Sequence, residues 1–507
     1  MKTFGRTTIY VNYTEKELLS GNEQDIKNRV LDIINTSIPI HQKNQSETLY
    51  LRGYLYGDQD IKGKVKKTRT DINNKSVENW AYAFCDWKKT FLLGKPINYS
   101  PIDDVNNEEI VKLNQYNTYE DKHWLDQEIY EDIFTCGRGF RYVCGSPMSE
   151  DDEAPYELLN CDASNTEVVY SSSINHEQLL SFIYIPKEAI TIDKYGNVEK
   201  TPYDEYNVYT RNKHYVINNK NSDSLQIVDK LTTPIILNTH VIIEYYMNRQ
   251  RMGFLELGKD LFDDINYIES LDMDDMEAFV NAIMVFTNAE VNKESMDAIK
   301  EYGAVSIKST EQKKASVELL QSRMKSLDTQ IFYMRKLTAI HSILSVPQAN
   351  NNGDISNGET GKAYLTGQGF TSANIRVDGE EQAFKRCDRE MLKVVLKICK
   401  NTANSGIKSL KVSDLLAKFS RDLTDNILVK TQALLNLATA NIPPEIRNQV
   451  IGLFSDPVSV TKLQKKFEEE KRQLQMEIDK QSSNNENKIN EQNNKMSKTI
   501  NNQEQEQ

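Results

Sequence analysis

Apolar residues recur every three or four positions over several long stretches of the chain, which is the spacing of an amphipathic helix. This spacing predicts helices over about residues 14–38, 77–93, 108–135, 259–284, 319–344 and 371–400. Residues 409–470 are also predicted to be helical, with a break at Pro443-Pro444 because proline cannot continue a helix. The pattern therefore predicts a mainly helical protein.

Between residues 137 and 246 the period changes to short runs that are rich in β-branched and aromatic residues. These runs are Phe140–Cys144, Thr166–Tyr170, Leu180–Ile185, Tyr206–Thr210, Pro234–Ile236 and Val241–Tyr246. Turn residues separate them, so they predict an antiparallel β subdomain. Ile283 to Lys308 is predicted to form a smaller insert of strand, helix and strand. The fold class is therefore α+β.

A long polar loop separates the last two of the predicted long helices. Pro347 ends the first of them, and an Asn- and Gly-rich run extends to Gly361. A loop of this length inside a domain is usually functional or disordered. Its amides, its two acids and the cation that follows are the candidate contact residues: Gln348, Asn350, Asn351, Asn352, Asp354, Asn357, Glu359 and Lys362.

Charge is unevenly distributed along the chain. The formal net charge of −12 argues against a protein that grips nucleic acid with a basic surface. The predicted helix 259–284 is the most acidic, and its candidate residues are Asp263, Asp264, Asp272, Asp274 and Asp275. The strongest basic run, Lys62 to Arg69, is interpreted as a solvated loop. Residues 481–507 are almost entirely polar, which predicts a disordered tail.

No complete catalytic motif is found in the sequence. Gly358–Lys362 lacks the earlier glycine and the following Ser or Thr of a phosphate-binding loop. The histidines are scattered, and the six cysteines include no Cys-x-x-Cys pair, so we expect no metal, no cofactor and a reducing compartment. The N-terminus has no apolar signal region, and no apolar run approaches membrane-spanning length.

Two classes of function stay open at this point. The acidic helix 260–277 could hold Mg²⁺ in a two-metal nuclease, although such sites usually collect carboxylates from several elements. The other alternative is a helical scaffold without a role in DNA handling.

Several short motifs occur in an order that points to a family. They are Tyr54-Leu55-Tyr56-Gly57 with Ile61, Phe91–Ile97, Pro234-Ile235 with Glu244–Asn248, Asp263–Asn266, and Ser345–Pro347 with Ser356–Gly358. In this order, over about residues 50–400, the chain resembles the SPP1-like portal proteins of tailed bacteriophages. It departs from the family's usual Ser-Gly-x-Ala-Leu run at Thr360–Tyr364, and the turn after Pro347 is richer in Asn.

This resemblance implies a ring of roughly twelve subunits at one capsid vertex, with double-stranded DNA passing along its axis during packaging and ejection. It implies a location in the virion, and in the host cytoplasm during assembly. The implied partners are other copies of the chain, the terminase large subunit, the major capsid and scaffolding proteins, and the head-completion or adaptor proteins. It implies no cofactor, no membrane and no enzymatic activity.

The resemblance also implies a division of the chain. Its parts are a wing region (1–258, with the β-rich part at 137–246), a stem helix (259–282), a clip (283–308), a second stem helix (309–344), a tunnel loop (345–361), a long wing helix (362–400) and a helical crown (401–480). The clip residues expected to meet partners are Asn288, Glu290, Asn292, Lys293 and Glu294. An acidic stem would repel DNA from the channel wall, and the loop amides would contact phosphates only weakly.

Overall fold

The computed structural model describes residues 5–67, 70–102, 107–146, 153–192, 198–222, 224–280, 283–287, 316–320, 326–348, 369–421, 427–440, 442–451 and 460–476. Tertiary contacts divide the chain into two units, Met1–Arg421 and Asp422–Gln507. Within the described ranges, no helix combines the length and the apolar character that crossing a membrane requires.

The first unit contains eight described helices. They are α1 Glu15–Leu18, α2 Glu23–Leu55, α3 Trp80–Leu93, α4 Asn107–Tyr119, α5 Lys122–Cys136, α6 Phe254–Val280, α7 Ser326–Leu344 and α8 Phe370–Asn401. Single 3₁₀ turns lie at Asp60–Gly63, Asp229–Leu231 and Val412–Asp414. The described helices of the second unit are α9 Ile427–Thr439, α10 Pro444–Ile451 and residues 460–476.

The described strands all lie in the first unit. They are β1 Ile9–Val11, β2 Asn98–Pro101, β3 Arg138–Gly145, β4 Tyr156–Cys161, β5 Thr166–Ser171, β6 Gln178–Ile192, β7 Val198–Thr210, β8 Lys213–Asn218, β9 Gln226–Ile227, β10 Thr233–Pro234, β11 Ile242–Tyr246, β12 Ile283–Thr287, β13 Ser316–Leu320 and β14 Leu415–Lys418. The mixture of helices and strands confirms the predicted α+β class.

The β-rich part forms two sheets, where a single antiparallel subdomain was expected. One sheet has the order β1-β5-β6-β7-β8-β10 with β9 paired to β8, and the other has the order β11-β3-β4. The strand β1 comes from the N-terminus and runs parallel to β5, so the first sheet is not purely antiparallel. The guanidinium of Arg138 on β3 donates two hydrogen bonds to Glu167 on β5, at 2.6 and 2.7 Å, and this buried pair joins the two sheets.

Two apolar cores hold the first unit together. In the smaller one, Val30, Ile33 and Ile34 of α2 pack on buried residues of the first sheet such as Leu180 and Phe182. The larger core collects α3, α5, α6, α7 and α8 around the second sheet. The helix α2 extends well beyond the predicted residue 38, because its last turn places residues such as Tyr54 in this larger core.

The structure corrects the predicted division between residues 283 and 344. The strand β12 lies where the first strand of the insert was expected, but its antiparallel partner is β13, with Ile283 opposite Leu320. Residues 316–320 lie within the range predicted for the second stem helix, but they form β13, and the helix α7 begins at Ser326. A five-residue run with several apolar positions fits either period, so its pattern alone could not distinguish strand from helix.

The C-terminal part is also less uniformly helical than predicted. The strand β14 pairs with β2, with Leu415 opposite Pro101, so residues 401–421 belong to the first unit and not to a separate helical crown. The predicted break at Pro443-Pro444 is confirmed, because α9 ends at Thr439 and α10 begins at Pro444. The predicted tail, 481–507, lies outside the described residues.

Candidate functional site

The two predicted stem helices pack against each other in the structure. The chain leaves α6 into β12 and returns through β13 into α7. Phe262 and Ile265 of α6, and Leu337 and Ile340 of α7, are buried in the same core. Lys336 of α7 also forms an ion pair of 2.6 Å with Asp264 of α6. The two helices are therefore held together by apolar contacts and by an ion pair.

Asp263 and Asp264, at the middle of α6, are engaged by other side chains. Asp263 accepts a hydrogen bond of 2.8 Å from the Tyr54 hydroxyl and forms an ion pair of 2.7 Å with Lys259. Lys259 also pairs with Asp60 at 2.9 Å. Since Asp264 is bound to Lys336, the first two residues of the predicted acidic set help to hold neighbouring elements together.

Asp274 does not line a surface, in contrast to the expectation for the acidic stem. It is 1% exposed, and its carboxylate pairs with Lys64 at 2.8 Å and with Lys66 at 2.9 Å. The backbone N–H of Asn74 donates a further hydrogen bond of 2.6 Å. The basic run, which the sequence predicts to be a solvated loop, is thus anchored on α6, and its charge is partly neutralised there.

Asp272 and Asp275 are the members of the set that stay partly exposed. Partial burial, together with the negative charge of Asp275, raises the pKa of Asp272 above its usual value. The pKa of Glu269 is raised by burial and by the carboxylates of Glu78 and Asp272. Several carboxylates therefore lie close to one another at this end of α6.

The contacts of Asp274 predict a defined pH dependence. The hydrogen bonds from Lys64, Lys66 and Asn74 outweigh the effect of burial and hold the Asp274 pKa well below its usual 3.8. A depressed pKa stabilises the fold fully above 3.8, and this stabilisation is lost as the pH falls through the folded-state value. We expect Asp274→Asn to lower the free energy of unfolding by about 2 kcal/mol at pH 7, and by progressively less below pH 3.8.

Urea unfolding at several pH values measures this difference. The matched control is Asp275→Asn, because Asp275 is adjacent in sequence and partly exposed; it should change stability by less than about 0.5 kcal/mol. Equal effects of the two substitutions at pH 7 would contradict the anchoring role of Asp274.

A left-handed residue follows α7 directly and is the first residue of the predicted tunnel loop. Ser345 has a φ of +54°. The N–H of Val346 donates to the His341 carbonyl at 3.0 Å, and the N–H of Ser345 donates to the Ser342 carbonyl at 3.3 Å. This is the bond pattern of a Schellman cap. The helix therefore stops through Ser345, before the Asn- and Gly-rich run begins.

A side chain also fixes the start of the predicted loop. The His341 ring lies 4.8 Å from the Phe84 ring, and its Nδ1 is 3.1 Å from the Val346 carbonyl oxygen. Burial lowers the pKa of His341. Gln348 follows and is half-buried. The remaining predicted loop residues lie outside the described part of the chain: Asn350, Asn351, Asn352, Asp354, Asn357, Glu359 and Lys362.

The predicted clip residues also lie outside the described part: Asn288, Glu290, Asn292, Lys293 and Glu294. The structure does describe the hairpin strands β12 and β13 that flank them. Among the described residues, no group of three or more His, Cys, Asp or Glu side chains is placed to hold a metal ion.

Sequence reasoning missed the residues that tie α6 and α7 to the rest of the first unit. The Tyr333 hydroxyl of α7 donates to Glu78 at 2.6 Å, and the N–H of Glu78 donates to Asn266 of α6 at 2.8 Å. Lys88 of α3 donates to the carbonyl of Leu344, the last residue of α7, at 3.4 Å, and pairs with Glu380 of α8 at 2.6 Å. These partners are far apart in sequence, so local patterns do not reveal them. The one available signal is a lysine among the apolar residues of α3, because a buried lysine needs an acidic partner.

The sequence model of the family "Phage portal protein, SPP1 Gp6-like" matches residues 34–484. No curated protein matches the chain. Among solved structures, the chain is similar to one from "Neck of empty GTA particle computed with C6 symmetry", with 9% identity and a TM-score of 0.37, over 74% of this chain and 90% of that one. The family match includes α6, α7, α8 and the whole of both sheets except β1. The chain therefore belongs to the SPP1 Gp6-like family of phage portal proteins.

Proposed function

We propose that copies of this chain form a closed ring at one vertex of a phage capsid, and that double-stranded DNA passes along its axis during packaging and ejection. The match of the portal family to residues 34–484 carries this proposal. The ring has roughly twelve subunits, assembles in the host cytoplasm and contacts the major capsid and scaffolding proteins. The terminase large subunit, and later the head-completion or adaptor proteins, dock at the segment between β12 and β13.

Exposed apolar side chains on α6 and α7 support the ring. They are Met273, Met276, Ile331, Phe332 and Met334, each close to half exposed or more. Clusters of large exposed apolar residues usually mark an interaction surface, and a ring buries the same surface in every copy. A monomer would leave these side chains in water.

The acidic end of α6 supports the conducting role. Asp272 and Asp275 are partly exposed and carry no neutralising ion pair within the described part of the chain. A channel wall with this charge repels the phosphate backbone, so the duplex is not held by ionic contacts along this end of α6 as it slides. Asp274 is excluded from this role, because it neutralises Lys64 and Lys66.

Electron microscopy and mass measurement of the purified full-length chain test the ring. We expect closed rings whose mass is a whole multiple of the 58.3 kDa subunit. A well-folded monomer at micromolar concentration would contradict the proposal and favour the scaffold alternative. Mg²⁺-dependent cleavage of duplex DNA, abolished by Asp272→Asn, would instead favour the nuclease alternative.

Deletion of Gln348–Asn357 tests the role of the loop. The loop starts from the fixed cap of α7, so its removal should leave ring assembly and motor docking intact. We expect capsids built with this variant to retain shorter or less stably held DNA, because the amides that would contact the passing duplex are gone. The measurement is the length of DNA that the capsids retain.

The control replaces the same residues by a Gly-Ser segment of equal length, which restores the reach of the loop without its amides. If both variants retain full-length genomes at normal yield, the loop is a linker without contacts to DNA.

A further inference from the structure

The long helix α8 carries a line of exposed cations along one face. In the sequence these cations are separated by apolar and acidic residues. The exposed cations are Arg386, Arg389, Lys393, Lys397 and Lys400. They are separated by three, four, four and three positions, which places all five on one face of the helix. The line is about 21 Å long at 1.5 Å per residue. We name these five residues the α8 stripe.

The opposite face of the same helix is fixed in the larger core. Met391, Val394, Val395 and Ile398 are each at most 4% exposed. The stripe therefore lies on a rigid support, and its cations are held in a straight line without a further ordering cost for the backbone.

The structure neutralises little of this charge. Lys393 pairs with Glu390 at 2.6 Å, but both side chains are about half exposed, and such surface pairs are weak. Lys397 contacts the neutral Asn238 carbonyl at 3.5 Å. In the part of the chain that the structure describes, no ion pair forms at Arg389, Lys397 or Lys400. The Lys62–Arg69 run differs, since Asp274 takes up two of its lysines.

We propose that the α8 stripe binds the phosphate backbone of duplex DNA, as a contact surface separate from the loop after α7. The proposal rests on the proposed function, in which this chain handles double-stranded DNA. A duplex carries one negative charge per about 1.7 Å of its axis, so a straight line of cations finds phosphates at any position along it. Arg and Lys on phosphates fix position without reading sequence, so the binding is independent of base sequence.

The composition of the stripe favours DNA over an acidic protein surface. The centres of protein–protein interfaces are apolar and poor in lysine. Three of the five stripe residues are lysines, and between residues 382 and 400 the other exposed positions of this face, Gln382 and Glu390, are polar. The stripe thus has the charge of a nucleic-acid contact and lacks the apolar anchors of a protein contact.

The test compares two triple variants of the full-length protein. One replaces Arg389, Lys393 and Lys397 by Glu. The control replaces Lys16, Lys43 and Lys466 by Glu, because these lysines are exposed and lie elsewhere in the chain. Each substitution changes the charge by −2, so both variants fall from −12 to −18. The affinity for a short fluorescent duplex is measured between 50 and 200 mM salt, and the mass of each protein is measured in parallel.

About five phosphate contacts predict that the affinity of the unmodified protein falls by about 500-fold over this fourfold change in salt. With two contacts left, the affinity of the stripe variant should fall by at most about 12-fold over the same change in salt. At 50 mM salt this variant should also bind the duplex more weakly than the control variant does. Equal salt dependence of the two variants, or no binding by the unmodified protein at 50 mM salt, would overturn the proposal.

The mass measurement separates this proposal from the proposed function. If the stripe variant loses the ring while the control keeps it, the stripe lies between copies and the DNA proposal is wrong. If the unmodified protein forms no ring, the proposed function fails whatever its affinity for DNA. Rings that form in all three proteins, with weakened DNA binding only in the stripe variant, support both.

Discussion

Replacement of Asp388 by alanine is expected to lower the free energy of unfolding by about 3–5 kcal/mol. Asp388 lies on α8, is 1% exposed and pairs with Lys122 of α5 at 3.1 Å. It also accepts hydrogen bonds from the hydroxyls of Tyr99 and Tyr245. Without the carboxylate, two hydroxyls lose a partner inside the core and Lys122 keeps only one acid, which makes the substitution costly.

The network around Asp388 explains the size of this effect. Lys122 pairs with Asp126 at 2.7 Å, and Asp126 pairs with Arg141 of β3 at 2.7 Å. Two cations and two anions are therefore buried together with no net charge. Burial, together with the charge of Asp388, raises the pKa of Tyr99 and of Tyr245 well above the usual value, so both stay neutral donors.

Denaturant unfolding, followed by tryptophan fluorescence, measures the loss. The control is Glu390→Ala, two residues further along the same helix, where an exposed pair with Lys393 should contribute less than about 1 kcal/mol. Asp388→Asn should fall between the two, because the amide keeps the shape but not the charge. A loss for Asp388→Ala no greater than that for Glu390→Ala would show that the network is not essential to the fold.

Periodicity predicted the parts of the fold whose side chains alternate regularly between core and solvent. The long helix of residues 371–400 is such a case, since one face of α8 is buried throughout the stretch that carries Met391, Val394 and Ile398. The predicted strands at 140–144 and 180–185 are also confirmed, although their side chains do not alternate regularly between core and solvent; their β-branched and aromatic residues were the signal. The strand β8 was missed, because its sequence begins with Lys213 and His214 and lacks a clear apolar alternation.

The contacts that decide the role of each site residue could not be predicted from local patterns. Asp274 differs little from Asp272 and Asp275 in the sequence, yet it is buried because the chain returns Lys64, Lys66 and Asn74 to it from 200 or more residues away. The order of the short motifs carried more information than periodicity, since it led to the portal family that the match over residues 34–484 confirms.

The second large effect on stability is expected from the replacement of Gly137, which lies at the junction of α5 and β3. Gly137 follows the end of α5 with a φ of +81°, and its N–H donates to the Ile133 carbonyl at 3.0 Å. A Cβ at this position would lie 2.2 Å from the Arg251 carbonyl oxygen and 2.7 Å from the carbonyl carbon of Met252. Both are backbone atoms of the segment that leads into α6.

That segment cannot easily move away from an added methyl group. Arg251 is held by two hydrogen bonds to Glu244, at 3.1 and 2.9 Å. On its other side Gly253 approaches the α5 backbone so closely that its own Cβ would lie 2.5 Å from the Thr135 carbonyl oxygen. The clash and the left-handed φ therefore add, and we expect Gly137→Ala to destabilise the fold by about 3–5 kcal/mol.

Replacement of Gly379 by alanine should instead stabilise the fold. Gly379 lies inside α8, and a Cβ built there meets nothing within 4 Å. Alanine stabilises such a helical position by about 0.5–1 kcal/mol, because glycine loses more backbone entropy on folding. In denaturant unfolding, the free energy of unfolding should therefore fall for Gly137→Ala and rise for Gly379→Ala, each relative to the unmodified protein. If Gly137→Ala were as stable as the unmodified chain, the backbone contact between the end of α5 and the start of α6 would not fix the position of α6, and this helix could shift without disturbing the core.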